Sequence, residues 1–365
     1  KATKVAGVVL TSRSDLLTFI EPFMLPAPSI CRTLSTTPSA EEALAILGSE
    51  YLVVPQDAIC FGVDGVCLTG PTQIRWMKQL LDLPGNFCLH VDGKYKLHHA
   101  EWILTTLGTH CNKLVGVTSM HITNTFIPLV YMMTREHESN GACIMLSGAL
   151  DVVTMRCFGK KLEPGALMAD HSAGIRMGYK TVWPDVPIGQ CWPHIKRKYH
   201  EGEFCSKKHP HFELIGVCLD AVHMAQSEDM RDFLICMIGP VWDSWGEKWN
   251  LRSFWNEYMV HPWDNWSIGL FDCMLATPSQ QTEESWHKLI LRSRIPGMFK
   301  GSTASVMKVA QYCRICSQCT VEYTRKYIGI YQCNTYSVGY TQIYRIIYSW
   351  IYQNIPVQYI FDAIY

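Results

Sequence analysis

Between residues 86 and 200, short apolar runs alternate with amphipathic stretches in an order that predicts strands and helices. Residues 87–91 (FCLHV) read as a strand that ends at Asp92. Residues 102–107 and 114–120 give two further strands with Asn112 as the turn signal between them, and residues 126–133 add another. The acidic residues Glu136 and Glu138 then precede a helical stretch to about Val153. Residues 166–169 (ALMA) form a short apolar run closing on Asp170, and residues 173–182 are apolar at helical spacing. A second apolar run bounded by Pro187 delivers Cys191, His194 and the basic cluster Lys196, Arg197 and Lys198. A strand ending in an acid, a helix, and a strand ending in polar groups is the layout of the functional edge of an α/β domain.

The flanks are patterned differently. Residues 39–48 (SAEEALAILG) carry a helix start and stop, with Ser39 as N-cap, acids in the first turn and Gly48 at the end. Residues 51–54 and 58–67 read as strands, and residues 72–83 place Ile74, Met77, Leu80 and Leu81 at helical spacing. Downstream, residues 212–224 and 229–238 are helix-like and lead into a tryptophan-rich passage: Trp242, Trp245, Trp249, Trp255, Trp263 and Trp266. Such aromatics ordinarily form the core of a helical insertion; an exposed one could also stack on unpaired bases. Residues 280–294 (QQTEESWHKLILRSR) read as a helix with acids in its first turn and Lys288, Arg292 and Arg294 toward its end. Past residue 311, tyrosines recur at four-residue steps, which drift around a helix by about 40° each and make no straight stripe. The expected organisation is a leader subdomain at 1–85, a core at 86–200, and a helical insertion at 201–276. A final core helix at 277–311 and a Tyr-rich tail at 312–365 complete it.

Composition narrows the class. The chain has 365 residues, 48% hydrophobic and 18% charged, which describes a globular protein with room for two domains or one large insertion. Formal net charge is zero, so a nucleic-acid surface must be local rather than a property of the whole chain. Sixteen cysteines without a signal peptide point to reduced thiols inside a cell. No stretch reaches 18 uninterrupted apolar residues, so no membrane span is expected. The lack of an initiator Met suggests a fragment.

Three carboxylates carry the candidate chemistry: Asp92 and Asp170 at strand ends and Glu284 on a helix. Carboxylate oxygens are the hard ligands that Mg²⁺ and Mn²⁺ prefer. Two such ions about 3.5–4 Å apart can activate an attacking oxygen and steady a leaving one in phosphodiester chemistry. Taken singly, an Asp at a strand end is more often a turn former or helix cap.

Three blocks in order resemble the catalytic blocks of Mutator-like (MULE) transposases. "LHVDGKYKL" around Asp92 is similar to the first, with Lys94 where Thr is usual. "ALMADHSAGI…VWPDVPIGQCWPHIKRKY" resembles the second, an acid closing a strand followed by a C-x-x-H block and basic residues. "TPSQQTEESWHKLI" resembles the third, matching at Glu284 and Ser285, with His287 in place of an Asn and Glu283 adjacent as the other choice of acid. "FIPLVYMMTREHES" resembles the strand and acidic turn that lie between the first two.

The resemblance implies an RNase H-like fold: a mixed five-stranded sheet with flanking helices and a helical insertion before the third catalytic acid. It also implies Asp92, Asp170 and Glu284 as ligands of two Mg²⁺ (or Mn²⁺) ions, and DNA cleavage at transposon ends followed by strand transfer into target DNA. The implied partners are terminal inverted repeats and target DNA, bound by a homo-oligomer in the nucleus. Cys191 and His194 fit the C-x-x-H block, which places His194 close to the scissile phosphate. As a bare spacing the same pair reads as a buried Cys with a hydrogen-bonded His, or as half of a zinc site with Cys205, His209 and His211 nearby. Cys313, Cys316, Cys319 and Cys333 are a second candidate zinc set. Lys196, Arg197, Lys198, Lys288 and Arg292 are the candidate DNA-phosphate contacts, against a solvated helix face as the plainer reading. The rival functional reading is a domesticated or decayed transposase-derived protein acting as a non-catalytic DNA-binding or regulatory factor.

Overall fold

An antiparallel meander lies at the centre of the sheet formed by the described residues. The computed structural model describes residues 37–47, 52–53, 65–94, 103–115, 121–202, 204–245 and 251–270. Its strands are β1 (Leu52–Val53), β2 (Gly65–Thr69), β3 (Cys88–Lys94), β4 (Ile103–Val115), β5 (His121–Thr134), β6 (Ala166–Ala169) and β7 (Ile188–Gln190). They form a seven-stranded sheet in the order β1-β2-β5-β4-β3-β6-β7. Every resolved pairing from β1 through β3 is antiparallel, whereas β3 and β6 run parallel. The class is α/β, with a mixed sheet and flanking helices.

Three expectations change at this level. The sheet has seven strands rather than five, because β1 and β2 from the leader continue it along β5. Pairing there covers an edge that would otherwise present unpaired backbone groups. The two strands expected at 102–107 and 114–120 are parts of one strand, β4, and Asn112 is not a turn but lies opposite Asn124 in the ladder. The partner β5 is 14 residues long and supplies ladder bonds along the whole of β4, which overrides the local turn preference of Asn. Finally, β3 does not end at Asp92. Asp92, Gly93 and Lys94 continue to pair with Thr106, Thr105 and Leu104, so the acid is held within the strand.

Four helices belong with the sheet. Helix α1 (Ala40–Leu47) starts with a reciprocal cap: the Ser39 hydroxyl accepts from the Glu42 amide at 3.2 Å, and the Glu42 carboxylate accepts from the Ser39 amide at 2.7 Å. These bonds hold the Glu42 carboxyl below its ordinary pKa. Helix α2 (Pro71–Leu80) places Pro in its first turn, where no amide partner is needed, and buries Ile74, Met77 and Leu80. Helix α3 (Asn140–Phe158) is capped by Ser139, whose hydroxyl accepts from the Ala142 amide, and is closed by Gly159 at φ 69°. By length and composition α3 could cross a membrane, but two-thirds of its apolar window is buried, as in a core helix. Helix α4 (Ala173–Val182) matches the bounds its pattern predicts.

Leu89, Val91, Leu107, Val130 and Met132 of the sheet join Leu146, Leu150 and Val153 of α3 and Ile175 and Tyr179 of α4 in one buried cluster. Burying each such aliphatic side chain contributes about 1.5–3 kcal/mol.

Contacts divide the chain between Ile188 and Gly189. The second unit is helical: α5 (Trp192–Glu201), α6 (Phe212–His223), α7 (Glu228–Ser244) and α8 (Leu251–Phe254), followed by a π-helical turn at Trp255–Met259. Its core holds Trp192, Phe212, Ile215, Leu234, Trp242, Phe254 and Trp266. Trp266 is fully buried; its indole N–H donates to the Tyr258 carbonyl at 2.7 Å, and its ring stacks on Trp192 at 5.1 Å. Trp192 stacks in turn on His223 at 4.7 Å. Cys67, Cys88, Cys143, Cys157, Cys191, Cys205, Cys218 and Cys236 are free thiols.

Candidate functional site

Strand register brings two of the sequence-predicted acids together. β3 and β6 pair as Cys88↔Ala166, Leu89↔Leu167 and His90↔Met168. Asp92 lies two residues beyond His90 within β3, and Asp170 lies two residues beyond Met168, directly after β6, so both acids stand at the same end of these adjacent strands. Neighbouring strands are about 4.8 Å apart, and the two-residue period puts Asp92 on the sheet face of His90. Both side chains are half-buried. Asp170 directly follows the last residue of β6 and precedes α4 by three residues.

The turn between β5 and α3 supplies the other wall. His137 is only 9% exposed, and its Nε2 faces the Glu138 carboxylate at 3.4 Å. Its ring occupies the space beside Gly93, where a Cβ would come within 2.1 Å of His137 Cδ2. Burial lowers the pKa of His137, while Glu138, Asp92 and Asp170 push it back up. Helix α4 seats closely against this turn. A Cβ on Gly174 would lie 2.2 Å from the Glu138 carbonyl oxygen, and one on Gly178 would lie 2.4 Å from Cys143 Cβ. Glycine inside a helix costs about 1 kcal/mol relative to alanine, and here that cost permits the close approach.

Farther down β3, His90 is fully buried and lies flat on His110 of β4, ring centres 3.6 Å apart. The edge of Phe126 meets His110 at 5.9 Å. Neither ring nitrogen of His90 has a hydrogen-bond partner among the described residues. Desolvation pushes His90 well below its ordinary pKa, with His110 adding to the effect, and burial takes His110 down to about 4. Both imidazoles are therefore neutral at pH 7.

Other sequence candidates lie elsewhere. Cys191 is the buried N-cap residue of α5, and His194 is half-buried in its first turn, with its amide donating to the Cys191 carbonyl at 3.1 Å. Both belong to the second unit, whereas Asp92 and Asp170 belong to the first. In the basic cluster, Lys196 pairs with Asp220 at 2.7 Å and lies over the Trp192 ring. Lys198 faces Glu257 at 3.8 Å and lies over Tyr258. Arg197 is exposed. Glu283, Glu284, Lys288, Arg292, Cys313, Cys316, Cys319 and Cys333 lie outside the described residues.

Of the tryptophans from 242 onward, Trp242 and Trp266 are buried, and Trp245, Trp255 and Trp263 are half-buried. Trp249 lies outside the described residues. The His209 ring accepts from the His211 amide at 3.1 Å, His211 stacks on Trp245 at 4.3 Å, and burial raises the Cys205 thiol to about 11. Among the described residues no group of three or more His, Cys, Asp or Glu side chains is arranged to hold a metal ion. The paired aspartates themselves offer adjacent hard oxygen donors, a set that fits a divalent cation of the Mg²⁺ or Mn²⁺ kind.

Sequence reasoning passed over His137, although it sits in the acidic turn Arg135-Glu136-His137-Glu138. The available signal was Gly93, a glycine directly after a candidate ligand in a strand, which marks a close approach. No protein-family model and no curated protein matches this chain.

Proposed function

We propose that this chain is the catalytic part of a DDE transposase of the Mutator-like kind, built on an RNase H-like fold. It would cleave DNA at transposon ends and join the freed 3′ hydroxyl to target DNA, acting in the nucleus as an oligomer on its DNA. The observation that carries this reading is that Asp92 and Asp170 lie at the same end of the adjacent strands β3 and β6 and both act on the His137 imidazole. The order of elements supports it as well. A meander of β3, β4 and β5 precedes two strand–helix units, and the first strand of the meander lies next to β6. That is the element order of an RNase H-like fold.

Asp92 and Asp170 would hold the divalent cations, with Glu284 as the third acid. Bound there, the cations supply charge neutralisation of the attacking and leaving oxygens at the scissile phosphate. The chain's own part is to fix the two carboxylates near the ends of adjacent strands; Arg197, exposed in the second unit, is a candidate DNA-phosphate contact.

The test is cleavage and strand transfer on terminal-repeat DNA by the Asp170→Asn variant in Mn²⁺. Loss of both steps with DNA binding retained is expected. Metal-dependent cleavage that survives in the variant would sink the assignment.

A further inference from the structure

Three features lie outside the roles assigned so far: the buried His90–His110 stack, the tied-down lysines of α5, and the imidazole of His137. The third goes furthest, and it rests on the cation-site reading above. We propose that His137 is a positioning residue of the Asp92–Asp170 cation site, its ring wedged beside Gly93 and turned to Glu138 so that the turn is held at a fixed distance from the strand carrying Asp92.

Four observations converge on it. Gly93 leaves room for the ring, and any side chain there would collide with His137 Cδ2 at 2.1 Å. The Glu138 carboxylate lies 3.4 Å from Nε2, within ion-pair reach of the imidazole. The backbone on either side is held too: the His137 carbonyl accepts from the Cys143 thiol at 3.6 Å, and the Glu138 carbonyl packs into the space left by Gly174. Both aspartates act electrostatically on the imidazole, which places all three groups in one field. Outer partners that orient metal ligands typically contribute about 10–100-fold to metal affinity. His137 has the attributes of such a partner: it is buried, oriented by a carboxylate, and adjacent to the ligands' backbone.

The experiment is Mn²⁺ binding to the full chain, read by electron paramagnetic resonance, for the wild type and for the His137→Gln, His137→Phe, Asp92→Asn and Gly93→Ala variants. Thermal midpoints are measured in parallel. His137→Phe keeps the bulk but loses the polar contact with Glu138, and its affinity should fall about 10-fold. His137→Gln keeps a donor for Glu138 and should retain most of the affinity. Gly93→Ala should weaken binding by displacing the ring, and should add nothing in a His137→Ala background. If the wild type binds Mn²⁺ through Asp92 while every His137 variant binds it equally well, whatever the thermal midpoints do, the positioning role is overturned and the cation site stands. If the wild type binds no Mn²⁺, or Asp92→Asn binds as the wild type does, both readings fall.

Discussion

His90 and His110 lie face to face inside the sheet, ring centres 3.6 Å apart and planes 20° from parallel, with His90 wholly removed from solvent. Charge on either ring would be desolvated and would face its neighbour at close range. The pKa of His110 in the folded chain, about 4, is below the ordinary histidine value, and that of His90 is lowered in the same direction. The unfolded chain therefore binds more protons than the folded chain below about pH 6.5, and the stabilisation present above that pH is lost as pH falls toward 4. At pH 5 the loss should be roughly 2 kcal/mol for His110 alone, with His90 adding to it. Urea midpoints measured from pH 7.5 to 4.5 check this. The His110→Phe variant should have a shallower acid limb, and an unchanged slope would mean that the stack is not what titrates.

Two helical glycines make a matched pair for a packing test. A Cβ on Gly178 would sit 2.4 Å from Cys143 Cβ, whereas nothing lies within 4 Å of a Cβ on Gly148 of α3. Gly178→Ala should destabilise by about 1–3 kcal/mol, because α4 must move off α3. Gly148→Ala should stabilise by about 1 kcal/mol through helix propensity alone. Opposite signs in chemical denaturation are the expected result.

The basic cluster of α5 divides by partner. Lys196 is engaged with Asp220 and Trp192, while Arg197 is exposed. Arg197→Ala should weaken DNA binding and reduce the salt dependence of log K by about 0.9. Lys196→Ala should lower the thermal midpoint more than it changes that slope. Filter binding at several salt concentrations, beside thermal melts, separates the two.

Trp266 is the buried centre of the helical unit, held by its indole bond to Tyr258 and its stack on Trp192. Trp266→Ala should cost about 3–5 kcal/mol. Limited proteolysis should then cut within α6 to α8 while leaving residues 65–188 resistant. Equal loss of both units would show that they unfold together.

Much of this was legible in the chain because the signals are local. The bounds of α4 follow from its apolar spacing between a short buried run and Trp183, and the position of Asp92 and Asp170 near strand ends follows from apolar runs that each meet an acid. The strand count and the length of β4 were not legible, because ladder bonds come from the partner strand. Asn112 reads as a turn until a 14-residue β5 lies opposite it. His137 was hidden for a similar reason: its importance comes from Gly93, far away in sequence, and a lone histidine in an acidic turn carries no such information. The lysines of α5 looked like free charge because Asp220 and Glu257 lie on other helices.

The register of β3 on β6 makes two short segments, 88–92 and 166–170, into rulers of equal length. One residue inserted into either would slide its aspartate about 3.3 Å along the strand and turn it to the opposite face. Two would restore the face but leave the acids about 6.6 Å out of step. The spacing of the two acids is therefore set by the few residues from Cys88 to Asp92 and from Ala166 to Asp170, not by the length of chain between them.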